Sequence, residues 1–174
     1  MVSVRFLLKD ILFYPDDVLR KVSSPVESHE FGSPMKKFIE ELYSSMDKAN
    51  GIGLAAPQVG VLKNVLVYKT VGEKEEVNDY LINPKITYTE GNTLVEEGCL
   101  SLPGVFAKVP RSVKITIEAQ DFEGKPFTKT TECFSSIVIQ HETDHLVGKL
   151  FVDKLSLMKR KMLLTKYNRN SRRN

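Results

Sequence analysis

Two histidines four residues apart, His141 and His145, stand on either side of a glutamate, Glu142. On a helix, residues four apart lie on one face, so both imidazoles can point at a single metal ion. Glu142 lies about 100° around the same helix, where its carboxylate can hold or release a proton beside that ion. The spacing predicts a metal site with its own proton carrier. Because so short a pattern also occurs by chance on solvated helices, the rest of the chain has to support this prediction.

A metal site of this kind needs a third protein ligand, and the sequence limits where that ligand can lie. In zinc proteases with the His-Glu-x-x-His pattern, the third ligand is a downstream histidine or glutamate. After His145 the chain has no histidine and no glutamate, and Asp153 is the only acid. The ligand is therefore expected upstream, where the candidates are Cys99, Cys133, His29 and several carboxylates. Cys99 follows Gly98 and precedes a turn, so its sulfur could be presented at a strand end, whereas Cys133 lies in what reads as an ordinary strand.

A second unusual stretch, residues 51–60, is dense in glycine and alanine and reads Gly-Ile-Gly-Leu-Ala-Ala-Pro-Gln-Val-Gly. Small residues let another backbone or a ligand approach closely, and Pro57 forbids a continuous helix. The stretch is not a phosphate-binding loop, because the Lys-Ser/Thr ending and the strand-then-helix context are absent. Gln58 is the one polar side chain in its apolar part, and a buried amide needs hydrogen-bond partners. We therefore expect tight packing here, with Gln58 held in a defined orientation.

The histidine pair requires a helix, and the flanking residues predict one. Ser135 or Ser136 can cap its N-terminus, and Gly148 can end it. A second helix is predicted from Ser33, which is followed by a proline suited to the first turn, to Asn50. Its apolar residues recur at helical spacing, which is typical of a helix packed on a core.

The middle of the chain reads as strands, at residues 65–68, 80–82, 86–88, 113–117 and 127–134. Connections between them are short, and helices lie towards both ends. This order predicts an α+β fold with antiparallel or mixed β-sheets around a central metal-binding helix, together with an N-terminal and a C-terminal helix. Since no repeat or linker interrupts the pattern, we expect residues 1–174 to form a single domain.

Charge is divided unevenly along the chain. The net charge of +3 separates into +8 for residues 154–174, which contain eight basic residues and no acid, and −5 for the remainder. A basic C-terminal helix and tail, at about residues 156–174, predicts binding to a polyanion, of which RNA is the simplest. The alternative is a solvated amphipathic helix. In either case Leu155, Met158 and Met162 are predicted to face inward.

Hydropathy and cysteine content limit the cellular compartments in which the protein is expected. The apolar run Phe6–Leu8 is interrupted at once by Lys9 and Asp10, and no later run approaches membrane-spanning length. Two cysteines are too few for a disulfide framework in 174 residues, which favours a reducing compartment. We therefore expect a soluble protein in a reducing compartment, with no membrane partner and no export signal.

Three stretches together resemble the signature motifs of peptide deformylases, in the order and at the spacing usual in that family. They are Gly51-Ile-Gly-Leu-Ala-Ala-Pro-Gln58, Glu97-Gly-Cys-Leu-Ser101 and Gln140-His-Glu-Thr-Asp-His145. Further similar features are Tyr14-Pro-Asp, Val109-Pro-Arg111 and Leu146-Val-Gly-Lys-Leu-Phe151. The likeness extends from about Ile11 to the end of the final helix.

This resemblance implies a metal-dependent hydrolase that removes the formyl group from the N-terminal formylmethionine of nascent polypeptides and releases formate. It implies that Cys99, His141 and His145 bind one divalent ion and leave a fourth position open for water. Ferrous iron is the native metal that the resemblance implies, although a Cys/His/His set can also hold Zn²⁺, Ni²⁺ or Co²⁺.

The resemblance also implies roles for residues around the ion. Glu142 would carry protons, while the side-chain amide of Gln58 and the backbone N–H of Leu100 would stabilise the oxyanion. The peptide would add as a strand beside Ile52 and Gly53. Its methionine side chain would enter an apolar pocket formed by Ile52, Val95, Phe134, Ile137, Val138 and the face of His141.

Two other classes of protein are compatible with parts of the sequence. A zincin-type metallopeptidase shares the helix motif but lacks support from a downstream ligand. A non-catalytic module that binds RNA or the ribosome, with a structural metal, would account for the basic tail. A structural zinc site normally fills all four positions with protein ligands, and no fourth ligand is evident.

Overall fold

A computed structural model of the chain describes residues 10–71 and 76–171. The helices in these ranges are α1 (Ser33–Lys48), α2 (Cys133–Leu146) and α3 (Leu157–Ser171). The strands are β1 (Gly53–Ala55), β2 (Val65–Val71), β3 (Glu76–Glu90), β4 (Thr93–Glu97), β5 (Ala107–Arg111), β6 (Lys114–Gln120) and β7 (Pro126–Glu132). None of these helices is both long and apolar enough to cross a membrane. The run Phe6–Leu8 and the terminal Arg172 and Arg173 lie outside the described residues.

The strands form two antiparallel sheets. Five of them lie in the order β1-β2-β3-β6-β7, and β4 pairs with β5 in a separate two-stranded sheet. The predicted α+β class with antiparallel sheets is therefore confirmed. The strands predicted at 80–82 and 86–88 belong to the single strand β3, which continues through two register shifts against β6.

The five-stranded sheet is covered on both faces, and β2 shows how. Successive strand residues point to opposite faces. Val65 and Val67 share a core cluster with the apolar stripe of α1, whereas Leu66 and Tyr68 share one with α2. All four are fully buried. The predicted core stripe of α1 is confirmed, since it buries Met35, Phe38, Ile39, Leu42 and Met46. The sheet is thus a rigid layer against which α2 is held.

The start of α2 differs from its prediction. The preceding strand β7 ends at Glu132, so the strand predicted at residues 127–134 is two residues too long. The helix begins at Cys133, where a φ of +54° turns the chain and the backbone N–H donates to the Val113 carbonyl at 2.8 Å. Ser136 is therefore not a cap: it is buried in the first turns, and its hydroxyl donates to the Ser112 carbonyl at 2.8 Å.

The inner face of α3 also differs from its prediction. Leu155 is partly buried as expected, but Met158 and Met162 are 83% and 63% exposed. The helix packs through its second half instead, where Tyr167 is buried and its ring meets the edge of Tyr14 at a centroid distance of 6.1 Å. The neighbours of Tyr167 in this core cluster include Leu163, Leu164 and Phe151. Contacts with the N-terminal segment, which periodicity within the helix does not reveal, select this face.

Candidate active site

The helix α2 places His141 and His145 one turn apart. Their Nε2 atoms lie 3.3 Å from each other, and their ring centroids are 5.0 Å apart. The ring of Phe151 stacks on His141 at 6.2 Å between centroids, and His145 is fully buried. Two imidazole nitrogens therefore converge on one point beneath the helix.

Cys99 joins the two histidines from the turn that follows β4. Its Sγ lies 3.3 Å from His145 Nε2, and the three donor atoms of Cys99, His141 and His145 all lie within 4.8 Å of one another. The turn is closed by a hydrogen bond from the Leu102 N–H to the Cys99 carbonyl at 3.0 Å. A thiolate and two imidazoles form a donor set that suits a divalent transition metal, and the convergence of three such atoms fits an ion between them.

The other sequence candidates for the third ligand lie elsewhere. Cys133 is exposed at the start of α2, and it forms no part of the group of donor atoms around His141. His29 is largely exposed, and its Nδ1 lies 3.5 Å from a carboxylate oxygen of Glu27. Cys99 is therefore the candidate that the structure brings to the two histidines.

A buried ion pair orients His141 through Nδ1, the ring nitrogen that faces away from the other donors. Glu97 Oε2 lies 2.8 Å from His141 Nδ1, so this ring nitrogen is engaged and Nε2 is left facing the other donors. Arg111 binds both oxygens of Glu97, at 2.6 and 2.9 Å, and reaches Asp144 at 2.7 Å. Burial opposes ionisation of Glu97, yet the hydrogen bonds from Arg111 and His141 lower its pKa to about 2. The carboxylate is therefore an anion at every physiological pH.

Glu142 lies on the side of α2 that faces β1. Burial raises the pKa of its carboxyl group to about 7. A Cβ atom on Gly53 would collide with Glu142 Oε1, so the absence of a side chain at position 53 makes room for this carboxylate. Its other oxygen, Oε2, is buried without a hydrogen-bond partner among the described residues. A buried carboxyl group that keeps one oxygen without a partner among the described residues, and whose pKa lies near neutrality, is suited to exchanging protons with a bound molecule.

Gln58 is held in one orientation beside Cys99. Its Oε1 accepts a hydrogen bond from the Ala55 N–H at 2.8 Å, so Nε2 must point the other way. Nε2 donates to the Ser101 hydroxyl at 3.2 Å and lies 3.7 Å from Cys99 Sγ. The expected tight packing around Gln58 is present, since its side chain is only 1% exposed. A donor is thereby aimed at the space around the metal-binding atoms.

A cavity of about 570 Å³ opens beside these groups. It is lined by His141 and Glu142, and also by Gln58, Cys99 and Leu100. Every residue predicted to bind substrate borders this one cavity: Ile52, Gly53, Val95, Phe134, Ile137 and Val138. The cavity therefore joins the polar cluster to an apolar chamber in which a side chain can be enclosed.

Sequence reasoning missed the supporting role of Glu97 and Arg111. Both stand inside stretches that resemble family motifs, yet neither was assigned a function. Their contact joins β4 to β5, whose pairing runs from Thr93 opposite Arg111 to Glu97 opposite Ala107. That register cannot be read from either strand alone. The available signal was a carboxylate two residues before the cysteine, because metal-binding histidines commonly donate a hydrogen bond from their second ring nitrogen to such a group.

Comparison with known proteins shows the family to which the chain belongs. The sequence model of the family described as "Polypeptide deformylase" matches residues 8–161. A peptide deformylase of Chromobacterium violaceum is 41% identical over 167 residues, which cover 96% of this chain and 98% of that protein.

Solved structures of peptide deformylases are similar to this chain in sequence and in fold. The crystal structure of a peptide deformylase from Legionella pneumophila is 42% identical, with a TM-score of 0.85, covering 95% of this chain and 96% of that one. The peptide deformylase from Thermus thermophilus is 38% identical, with a TM-score of 0.82 over 92% and 93% of the two chains. Family match, identity and fold agree over nearly the whole length, and the chain belongs to the peptide deformylase family.

Proposed function

We propose that this chain hydrolyses the formyl amide at the N-terminal formylmethionine of nascent polypeptides, releasing formate and a free amino group. The observation that carries the proposal is that one cavity contains both the hydrolytic groups and an apolar side-chain pocket. The Cys99, His141 and His145 donors and the carboxylate of Glu142 lie beside an apolar chamber large enough for a methionine side chain. Hydrolytic groups and a side-chain pocket are the two parts that such a reaction requires.

Cys99, His141 and His145 would hold one divalent ion, with Fe²⁺ as the native metal. Their donor atoms lie within 4.8 Å of one another, and Glu97 turns Nε2 of His141 towards the other two. Zn²⁺, Ni²⁺ and Co²⁺ suit the same donors. When bound, such an ion polarises a carbonyl oxygen and lowers the pKa of water far below its ordinary value, towards about 7.

Glu142 would move the protons. Its Oε2 is free of partners among the described residues, and its pKa of about 7 lets it both accept and return a proton at neutral pH. We expect it to take a proton from the attacking water and to deliver it to the nitrogen of the departing amine. Gly53 packs directly against this carboxylate, which also lines the cavity where the substrate would bind.

Gln58 and Leu100 would stabilise the negative charge that develops on the formyl oxygen. The Gln58 amide is held by Ala55, so Nε2 can donate without first reorienting. Leu100 follows Cys99 directly in the turn and lines the same cavity, so we expect its backbone N–H to face the space beside the metal-binding atoms. Donors held in place before the reaction stabilise a transition state more than donors that must rearrange.

The peptide would bind as an added strand along Ile52 and Gly53. Among the described strands β1 is an edge strand, because β2 is its only partner in the sheet. Main-chain hydrogen bonds to such an edge hold a peptide irrespective of its side chains. The methionine side chain would then enter the chamber bordered by Val95, Ile137 and Val138, while Phe134 and Ile52 stand at its rim, 44% and 47% exposed.

We further propose that the chain acts as a single-domain monomer where translation takes place, in a bacterial-type cytoplasm or an organelle matrix. Its substrates emerge from ribosomes, and α3 carries exposed cations at Lys159, Lys161, Lys166 and Arg169. This basic face suits contact with ribosomal RNA.

Replacing Glu142 with glutamine tests the reaction. Glu142→Gln should retain the metal, because all three ligands remain, and should lose about 10²–10⁴-fold in turnover of a formyl-methionyl tripeptide. Metal content by elemental analysis and release of free amine are the two measurements. Glu118→Gln, an exposed substitution on β6, is the matched control and should turn over normally. Near-normal turnover by Glu142→Gln would remove Glu142 from the mechanism.

A further inference from the structure

The proposed mechanism leaves Ser101 without a role, although its hydroxyl group lies beside the active site. Ser101 is fully buried two residues after Cys99, in the turn that follows β4. A buried hydroxyl group is costly unless it forms hydrogen bonds, and its Oγ accepts one from Gln58 Nε2 at 3.2 Å. Among the described residues that line the cavity Gln58 is present and Ser101 is not, so Ser101 can act on a substrate only through its neighbours.

The hydrogen bonds of the Gln58 side chain show what this contact does. A glutamine amide has one carbonyl oxygen and two N–H donors. The oxygen accepts from the Ala55 N–H at 2.8 Å, and one N–H donates to Ser101, so the plane of the amide is fixed at both ends. The second N–H is left for the space beside Cys99, whose Sγ lies 3.7 Å from Nε2. One donor therefore remains for a molecule bound in the cavity.

The backbones of Gln58 and Ser101 are held by one short segment of the chain. The Leu12 N–H donates to the Gln58 carbonyl at 2.7 Å, and the Tyr14 N–H donates to the Ser101 carbonyl at 2.8 Å. The two turns that carry these residues are thus fixed relative to each other through residues 12–14. Because the backbones are tied together, the side-chain hydrogen bond between them can define the position of the amide.

We infer that Ser101 is a positioning residue, which fixes the Gln58 amide so that its remaining N–H meets the formyl oxygen as negative charge develops there. This inference rests on the proposed function and adds a residue that acts through Gln58. Removing one donor from such a site costs about 10²–10³-fold in kcat, and misplacing a group by about 1 Å costs up to about 10²-fold. Since the donor acts in the transition state, the loss belongs in kcat and not in KM.

A double-mutant cycle tests whether Ser101 acts through Gln58. With a formyl-methionyl tripeptide and the metal-loaded enzyme, Ser101→Ala should lower kcat by roughly 10–100-fold and leave KM unchanged. Gln58→Ala should lower kcat by about 10²–10³-fold. In a protein that already carries Gln58→Ala, adding Ser101→Ala should cost less than about a further twofold, because no amide is left to position. A merely structural effect of Ser101→Ala would lower kcat in both backgrounds.

A spectroscopic signature of the amide adds a measurement that does not depend on turnover. In the Zn²⁺-loaded protein, the side-chain NH₂ group of Gln58 gives a pair of signals in a proton–nitrogen correlation NMR spectrum, assigned by their loss in Gln58→Ala. Ser101→Ala should shift this pair and leave the metal content unchanged. Ser136→Ala is the matched control, because Ser136 is also fully buried and also accepts from a glutamine amide, Gln140 Nε2, at 3.0 Å. It should change neither the Gln58 signals nor kcat.

The possible outcomes separate this inference from the proposed function. An unchanged kcat for Ser101→Ala, equal losses in the two backgrounds, or an unshifted pair of Gln58 signals would overturn the inference alone. If the unmodified chain did not hydrolyse the tripeptide, the proposed function would fall, and the NMR comparison would still decide whether Ser101 fixes the amide. Ser101→Gly removes the same hydroxyl group and provides a second variant, for which the same pattern is expected.

Discussion

His141 is held from two sides, and this arrangement links residues that lie far apart in the chain. Its Nδ1 meets Glu97, which is itself gripped by Arg111, while its Nε2 faces Cys99 and His145. The buried carboxylate selects the tautomer of the ring and therefore the nitrogen that can bind a metal. Metal affinity should consequently depend on residues that never touch the ion.

Replacing Glu97 tests that dependence. Glu97→Gln removes the charge that orients His141 and leaves Arg111 without a full counter-ion. Changes of this kind typically cost about 10–100-fold in metal affinity. Competition with a coloured chelator would measure the affinity of both proteins for Zn²⁺. Glu96→Gln, at the exposed neighbouring position, should bind as the unmodified chain does. Equal affinities for the two variants would mean that Glu97 has no orienting role.

The two cysteines provide a matched comparison for the metal ligands. Cys99→Ser should lose most of its bound metal, because a neutral hydroxyl replaces a thiolate donor. Cys133→Ser should keep its metal, since that side chain is exposed at the start of α2. Elemental analysis after dialysis measures both. Loss of metal from both variants to the same extent would exclude Cys99 as a specific ligand.

At the residue scale, the sequence predicted the metal-binding residues better than the residues that orient them. The spacing of His141 and His145 is local to one helix turn, and the resemblance supplied Cys99, so these residues could be named in advance. The contact between Glu97 and Arg111 depends on how β4 pairs with β5, and one strand does not reveal its register.

Among the structural elements, α2 and β1 are in tight contact at Gly53. The helix and the strand can meet there only because position 53 lacks a side chain, and the Glu142 carboxylate occupies the space. β1 is three residues long and fully buried, so it has little room to move away. The distance between the two elements therefore decides where the carboxylate stands.

Gly53→Ala should accordingly displace Glu142 and reduce turnover by at least about tenfold, while the histidines keep their metal. Gly51→Ala is the matched control in the same stretch. Its added methyl group would lie 2.8 Å from Cδ1 of the Leu100 side chain, a flexible end that can shift. Formyl-peptide kinetics, with metal analysis on the same samples, separate the two effects. If Gly53→Ala and Gly51→Ala were equally active, contact with the carboxylate would not matter.

Helices with regularly spaced apolar residues were predicted well, but the residues at which helices begin were predicted poorly. α1 carries an uninterrupted stripe and matches its prediction closely. Serine is a common cap, so the sequence predicts that α2 starts at Ser135 or Ser136, whereas the positive φ of Cys133 starts the helix earlier. The buried face of α3 was missed for a related reason: its partners, such as Tyr14, come from the other end of the chain.

At the scale of the whole molecule, a buried ion pair away from the active site contributes to the stability of the fold. Glu30 is buried, and it binds Lys63 and the Glu27 N–H. Burial works against the charged form, but these two partners together lower the pKa of Glu30 below its ordinary value. A lowered carboxyl pKa stabilises the fold above the unfolded-state pKa, and this stabilisation is lost as the pH falls through the folded-state pKa.

Glu30→Gln should therefore lower the free energy of unfolding by about 1–3 kcal/mol at pH 7 and by less as the pH approaches 3. Urea denaturation of both proteins at several pH values measures this difference. Glu41→Gln disrupts an exposed pair with Lys37 and should cost less than about 0.5 kcal/mol. A cost for Glu30→Gln that does not change with pH would show that the ion pair is not its source.

The basic face of α3 is best tested by substitution, since truncation would remove the buried Tyr167. Changing Lys161, Lys166 and Arg169 to glutamine should weaken co-sedimentation with ribosomes, most clearly at low salt. Tripeptide turnover should not change. A control with Lys48, Lys85 and Lys125 changed to glutamine removes three exposed cations elsewhere and should sediment normally. If both triple variants sediment alike, α3 is an ordinary solvated helix.

The position of β1 at the edge of the sheet has a consequence for how ligands can be detected. Ile52 accepts a hydrogen bond from the Lys69 N–H on the β2 side, and strand residues alternate in direction, so Gly53 is the residue whose backbone N–H faces the open edge. A peptide that extends the sheet would bond this amide, and one that occupies only the chamber would not. Slower deuterium exchange at Gly53 would therefore report strand addition even from a peptide that the enzyme cannot cleave.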